Sequence, residues 1–120
     1  MDNRNNASQV QIASGLNALV GLYEIAAAWI LGYSGLGTPT TNAVIVGIIV
    51  AVLAAIRAFG AFGSAWLSWV NVLFGLWLII APFVLGYTGA PRTNDIIVGI
   101  VVAVLGAWSA LASRGAQPVS

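Results

Sequence analysis

One ionisable residue, Glu24, lies deep inside a long apolar segment of the sequence. A charge at that depth is costly unless it is paired, protonated or hydrated, and intramembrane carboxylates often belong to proton or ion pathways. Asn17 precedes Glu24 on the same helical face, and Asn71 is the counterpart of Asn17 in an internal repeat. Arg57 lies at the end of another apolar segment and is a possible charge partner for Glu24. These four residues form the candidate polar site. The alternative is a protonated or hydrogen-bonded Glu24 that holds helices or subunits together.

The sequence offers few other groups for chemistry. It contains no Cys and no His, the residues that supply thiolates, imidazole bases and most metal ligands. The glycines at positions 32, 35 and 37 follow a helix rather than a strand, so they are not a dinucleotide fingerprint. The four basic residues form no run, which argues against nucleic acid as a partner. We therefore predict a protein that is not an enzyme, with no catalytic residue, cofactor or metal site.

The elements that carry these residues are predicted to be transmembrane helices. The chain is 60% hydrophobic and 6% charged, whereas a soluble domain carries about 25% charged residues. Four apolar runs of roughly 20 residues match the length of a helix that crosses a ~30 Å hydrocarbon core. Membrane barrels need short alternating segments, and these runs do not alternate. The runs are 12–31, 42–59, 65–85 and 94–112.

The sequence repeats itself. Residues 17–33 align with 71–87, and 41–54 align with 93–106, with identical residues at more than half of the positions. Each copy contains two spans, so both copies enter the membrane from the same side. We therefore predict an all-α membrane protein of four transmembrane helices, built as two parallel, tandem two-helix hairpins related by an axis along the membrane normal. The predicted segments are a polar tail at 1–11, the first repeat at 12–59, a short loop at 60–65, the second repeat at 66–112 and a tail at 113–120.

A family resemblance rests on the first helix of each copy. Ala27-Ala28-Trp29 and Ala81-Pro82-Phe83 are each followed by an apolar pair, Gly-Tyr, and an Asn that opens a Val- and Ile-rich helix. This pattern resembles the SPW repeat of small bacterial and archaeal membrane proteins, in which Ser-Pro-Trp occupies that position. The first copy keeps Trp29, and the second keeps Pro82 with Phe83 in place of Trp. The resemblance implies a fold and a plasma-membrane location but supplies no catalytic residue. Glu24 departs from the repeat, because its counterpart is Leu78.

Small residues recur at every fourth position of the second and fourth helices, a spacing that lets backbones approach closely. We interpret them as a packing seam, which could lie inside the molecule or between subunits. The residues are Gly47, Ala51, Ala55, Gly99, Ala103 and Ala107.

Polar and aromatic residues near the span ends suggest local roles. Asn42 and Asn94 are predicted to cap the second and fourth helices, and Asp95 to lie in a first turn where it complements the helix dipole. Tyr33 and Tyr87 are expected at the membrane interface, together with Trp66 and Trp69.

Orientation follows from the arginines. Arg4, Arg57 and Arg114 share one side and Arg92 lies on the other, which favours cytoplasmic termini. The leading hypothesis is a non-enzymatic structural or accessory subunit that packs in a homo-oligomer or a larger membrane complex, surrounded by lipid. The first alternative is a small oligomeric ion or proton pore, or a transporter, that uses Glu24. A weaker alternative is a binder of lipid or another apolar ligand, lined by Trp29, Phe74, Trp77 and Phe83.

Overall fold

The chain folds into four α-helices. The structure is a computed structural model that describes residues 3–59 and 65–116, with side chains described for 8–59 and 65–112. Each helix contains a stretch long and apolar enough to cross a membrane, and no strand occurs in the described part. The predicted all-α membrane fold with four spanning helices is therefore confirmed. The helices are α1 (Asn3–Ile30), α2 (Gly37–Ala58), α3 (Ala65–Leu85) and α4 (Ala90–Ala116).

Three of the helices begin earlier than the hydropathy pattern predicted. The polar residues before position 12 continue α1 to Asn3, and Pro39 and Pro91 lie in the first turns of α2 and α4. Proline fits a first turn because the N–H it lacks has no intrahelical partner there. The connections α1–α2 and α3–α4 therefore shrink to 31–36 and 86–89. We call the end of the bundle that holds them the loop side and the opposite end the terminal side.

These earlier starts show that the predicted helix caps are wrong. Asn42 and Asn94 lie beyond the first turns, and the N-cap position of α2 is Leu36, which makes no side-chain capping bond. Asp95 likewise lies after the first turn of α4, which contains no acidic residue. All three side chains are instead available for contacts between helices.

Neighbouring helices pack in an up-and-down ring. The contacts are most extensive within α1–α2 and α3–α4, nearly as extensive between α1 and α4, and smaller between α2 and α3. The tandem relation of the two hairpins stays a prediction. Hydrogen-bonded pairs near both ends fix antiparallel directions: Ser14–Ser109 and Tyr23–Asn94 between α1 and α4, and Arg57–Ser68 and Asn42–Trp77 between α2 and α3.

The small-residue seam lies inside the molecule. A Cβ atom built on Gly21 would lie 2.7 Å from the Ala51 amide nitrogen and 2.9 Å from the Gly47 carbonyl oxygen. The second pair of helices has the matching contact, with Gly75 against Gly99 and Ala103. Such close approach suits a membrane bundle, in which backbone packing replaces the hydrophobic effect between helices. Ala55 and Ala107 are half-buried.

An apolar layer crosses the middle of the bundle. Buried Val46, Val50, Leu78, Val98 and Val102 form it. On the outside, all four helices expose large aliphatic and aromatic side chains, including Leu19, Ile48, Leu73 and Ile100. Buried polar side chains therefore lie in the interior, mostly above and below the apolar layer, with Asn17 and Asn71 at its level, as expected when lipid is the outer solvent.

Candidate functional site

Two glycine turns bring tyrosines into the bundle at the loop side. Gly32 and Gly86 have φ values of +82° and +78°, a backbone region that other residues rarely adopt. The turn ends each helix with a bond from the next amide, Tyr33 N to Ala28 O at 2.8 Å and Tyr87 N to Pro82 O at 3.0 Å. Both tyrosines are consequently buried in the bundle just beyond the ends of the spans, and their place at the membrane interface stays a prediction. Trp66 and Trp69 are exposed.

The tyrosines join two hydrogen-bonded sets that match each other through the repeat. In one, Tyr23 Oη donates to Asn94 Oδ1 at 2.9 Å, and Asn94 Nδ2 donates to Tyr33 Oη at 3.2 Å. In the other, Trp77 Nε1 donates to Asn42 Oδ1 at 2.9 Å, and Asn42 Nδ2 donates to Tyr87 Oη at 3.1 Å. Each asparagine thus crosses from one hairpin to the other. We call these residues, with Glu24 and Asp95, the loop-side polar cluster.

A carboxyl group is added to each set, and the two carboxyl groups meet. Glu24 Oε1 accepts from Asn94 Nδ2 at 2.7 Å. Asp95 Oδ2 accepts a short hydrogen bond from Tyr87 Oη and a longer one from Asn42 Nδ2 at 3.5 Å. The Glu24 and Asp95 carboxyl groups lie close enough together to interact electrostatically. Both residues are 1% exposed.

The electrostatics of this carboxyl pair are unfavourable when both groups are charged. Two like charges 4 Å apart repel by about 4 kcal/mol at an effective dielectric constant of about 20. Glu24 Oε2 and Asp95 Oδ1 accept no hydrogen bond from a described N–H or O–H group. A direct bond between two carboxyl groups requires a proton on one of them, because an ionised carboxylate is only an acceptor.

The surrounding hydroxyl groups stay protonated. Burial, followed by electrostatic interaction with the nearby acidic residues Glu24 and Asp95, raises the pKa of Tyr33 above its ordinary value. Burial, followed by the hydrogen bond to Asp95, raises the pKa of Tyr87 in the same direction. Both hydroxyls therefore remain available as hydrogen-bond donors across the physiological range.

Arg57 does not reach Glu24. Its guanidinium group is fully buried on the terminal side, where Nε donates to Ser68 Oγ at 2.8 Å and Nη2 to the Ser109 carbonyl at 3.1 Å. Ser14 joins this group through a 2.7 Å bond to Ser109 Oγ. Ser14 precedes Glu24 by ten residues in α1, which corresponds to an axial separation of about 15 Å. The structure therefore divides the predicted polar site between the two ends of the bundle.

Asn17 and Asn71 lie in the middle and bind backbone. Asn17 Nδ2 donates to the Val102 carbonyl and Asn71 Nδ2 to the Val50 carbonyl, both at 3.3 Å. The two contacts are equivalent in the repeat, and each links one hairpin to the other. Glu24 itself lies six residues before the end of α1, about 9 Å below it, and so closer to the loop side than its predicted position near mid-span.

The aromatic residues suggested as an apolar pocket do not converge. Trp29 and Phe83 are exposed on the outside, where Phe83 lies under the Arg92 guanidinium, with 4.6 Å from Cζ to the ring centroid. Trp77 is part of the loop-side polar cluster, and Phe74 packs on the central apolar layer. Pro82 is buried within the last turn of α3. An apolar groove of about 530 Å³ does lie between α1 and α4, but other side chains line it, among them Leu16, Leu19 and Val101.

Asp95, the two buried tyrosines and the Tyr23/Trp77 pair were not predicted as site residues. The available signal was the repeat itself, because Thr-Asn and Gly-Tyr recur in register in both copies of an otherwise apolar sequence. A polar residue that recurs in a membrane helix is expected to face the bundle interior.

Comparison with known proteins identifies a family and no closer relative. The family model of the SPW repeat domain matches residues 11–109. No curated protein matches the chain, and no solved structure does.

Proposed function

The chain belongs to the SPW repeat domain family, and from that premise we propose that it is a non-enzymatic structural or accessory subunit of a membrane assembly. The observation that carries the proposal is the distribution of polarity. The buried polar side chains bond to one another or to backbone across the bundle, whereas large apolar side chains cover its outer faces. Contacts with other proteins would then be lateral and apolar.

The short connections support the same proposal. The links at 31–36 and 86–89 hold too few residues for a domain outside the membrane. These two links therefore leave no room for substrate chemistry outside the bundle. Most polar groups at its two ends are engaged with one another, although Glu24 Oε2 and Asp95 Oδ1 accept no hydrogen bond from a described donor.

The central apolar layer favours this role over a pore through one bundle. Val50, Leu78 and Val102 are at most 1% exposed and separate the loop-side polar cluster from the Arg57 group. A permeating ion would need polar ligands or water along its path. Among the described buried polar side chains, only those of Asn17 and Asn71 lie at this level; their Nδ2 atoms donate to backbone carbonyls, and their Oδ1 atoms accept no hydrogen bond from a described donor.

Photo-crosslinking in native membranes tests the proposed assembly. A photoreactive residue is placed at Leu19 in the α1–α4 groove, at Ile48 on α2 or at Leu73 on α3, all of which face outward. The same residue at buried Leu78 is the matched control. We expect at least one outward position to give a product of fixed mass, which mass spectrometry assigns to a second copy or to another protein. Lipid adducts alone at every outward position would refute the proposal.

We further propose that both termini lie in the cytoplasm of a bacterial or archaeal cell, with the loop side outside. Arg57 lies on the terminal side, and Arg92 lies near the start of α4 on the loop side. The side chains of Arg4 and Arg114 fall outside the described residues. Because the chain has no Cys, single cysteines at Thr88 and Gln117 test this topology in intact cells. An impermeant maleimide should label the first variant only, and the opposite pattern would reverse the orientation.

A further inference from the structure

Glu24 on α1 and Asp95 on α4 are electrostatic neighbours across the α1–α4 contact, beside Asn94, whose Nδ2 donates to Glu24 Oε1 at 2.7 Å. Each carboxyl group has one oxygen engaged by donors of the loop-side polar cluster. The remaining oxygens, Glu24 Oε2 and Asp95 Oδ1, are buried without a hydrogen bond from any described N–H or O–H donor. Both side chains are at least nine-tenths buried.

We propose that Glu24 and Asp95 form a proton-binding site, in which one proton is held between Glu24 Oε2 and Asp95 Oδ1. The proton satisfies both oxygens and leaves a single negative charge on the pair. This binding site is independent of the assembly role proposed above, since it requires no partner protein.

The donors around the pair decide which carboxyl group carries the proton. Asp95 Oδ2 accepts from Tyr87 and Asn42, whereas Glu24 Oε1 accepts from Asn94 alone. More donors stabilise the ionised form. Glu24 is therefore the protonated partner and donates from Oε2 to the Asp95 carboxylate.

The groups that face the pair from each element are neutral. α1 contributes Tyr23, α2 contributes Asn42, α3 contributes Trp77 and α4 contributes Asn94, with Tyr33 and Tyr87 from the connections. The two described arginines have other contacts, Arg57 at the terminal side and Arg92 over Phe83.

The same surroundings favour a proton over a metal cation. Magnesium and calcium ions in proteins take six or more oxygen ligands, whereas amide N–H and hydroxyl donors point at this pair. Among the described residues, no group of three or more acidic, His or Cys side chains could hold a metal ion. A proton needs only the two facing oxygens.

Two surface grooves near the loop side are lined in part by the asparagines that bond the pair. One, of about 460 Å³, is lined by Ala90, Thr93 and Asn94, and Asn94 bonds Glu24. The other, of about 440 Å³, is lined by Thr38, Thr41 and Asn42, and Asn42 bonds Asp95. Toward the terminal side, the central apolar layer separates the pair from the rest of the bundle interior. Proton exchange is therefore expected with the loop side of the membrane only.

Infrared spectroscopy of the full chain in lipid nanodiscs tests the site. The chain has only three acidic side chains, so the C=O band of a protonated carboxylic acid has few sources. At neutral pH we expect this band in the wild type, its loss in Glu24→Gln, and a changed frequency in Asp95→Asn. Asp2→Asn is the matched control, because it removes a carboxyl group and leaves the pair intact, and its band should equal that of the wild type.

Three results would overturn the proposal. They are a wild-type spectrum without the band, a band that persists in Glu24→Gln, or a band that sodium or magnesium salts abolish at constant pH, which would indicate a cation site instead. Helical circular dichroism of each variant confirms folding. If Glu24→Gln does not fold, the wild-type and Asp2→Asn spectra decide on the presence of the band, and Asp95→Asn decides on its assignment.

Discussion

Replacement of Gly21 by alanine is expected to destabilise the bundle. The added Cβ atom would lie 2.7 Å from the Ala51 amide nitrogen, whereas ordinary contact begins at 3.4 Å. The contacting atoms belong to the backbone, so α1 and α2 must separate by about 0.7 Å instead of rotating a side chain. Overpacking of this kind costs about 1–3 kcal/mol, and alanine recovers only about 0.5–1 kcal/mol of helix propensity. We expect a net loss of about 1–2 kcal/mol.

Gly15 supplies the matched control in the same helix. A Cβ atom on Gly15 would meet nothing within 4 Å, so Gly15→Ala should be neutral or stabilising by up to about 1 kcal/mol. The assay is thermal unfolding in one detergent, followed by circular dichroism for wild type and both variants. Equal midpoints for Gly21→Ala and Gly15→Ala would refute the close helix contact and the internal seam that depends on it.

Two further predictions concern the loop-side polar cluster. The pKa values of Tyr33 and Tyr87 are raised in the folded state, so their contribution to stability is full below about pH 10, the pKa of the unfolded state, and is lost as the pH rises above it. The absorbance of tyrosinate should therefore appear at a higher pH in the folded than in the unfolded protein. Titration of both states at the same pH would contradict this prediction. Trp77→Phe removes the donor to Asn42 Oδ1 and should lower the free energy of unfolding by about 1–2 kcal/mol, measured by thermal unfolding. The control, Trp66→Phe at an exposed position, should lower it little. Equal losses in the two variants would show that the hydrogen bond of the Trp77 indole does not stabilise the fold.

The helical architecture could be predicted because lipid imposes simple requirements on sequence. Four apolar runs of spanning length leave few alternatives to four helices. The seam was also predictable, since small residues at every fourth position favour close backbone approach. The position of the seam inside the molecule could not be predicted. Gly21 and Gly75, which contact the seam from the facing helices, are not part of a series of small residues at every fourth position.

The polar contacts were harder to predict, because hydropathy locates helix ends poorly when the first turns are polar. The starts of α2 and α4 were placed too late, which made Asn42 and Asn94 look like caps and Asp95 look like a first-turn residue. The spacing of residues along the sequence also does not determine how each helix is rotated about its axis relative to its neighbours. Arg57 was therefore considered a partner for Glu24, although the two residues lie at opposite ends of the bundle.

The repeat provides a way to separate fold from function at the carboxyl pair. The equivalent positions hold Leu78 and Ala43, which are both buried at 0% exposure. The double variant Glu24→Leu with Asp95→Ala should therefore keep the fold and gain about 1–4 kcal/mol, as when other buried polar pairs are replaced by apolar residues. Each asparagine would retain its tyrosine contact. Thermal unfolding in nanodiscs measures the gain, and each single variant is a control that leaves one carboxyl group without the other. A double variant less stable than the wild type would mean that the two acids hold the bundle together. A more stable variant would mean that they are kept at a cost to stability, as expected for residues whose role is to bind and release a proton.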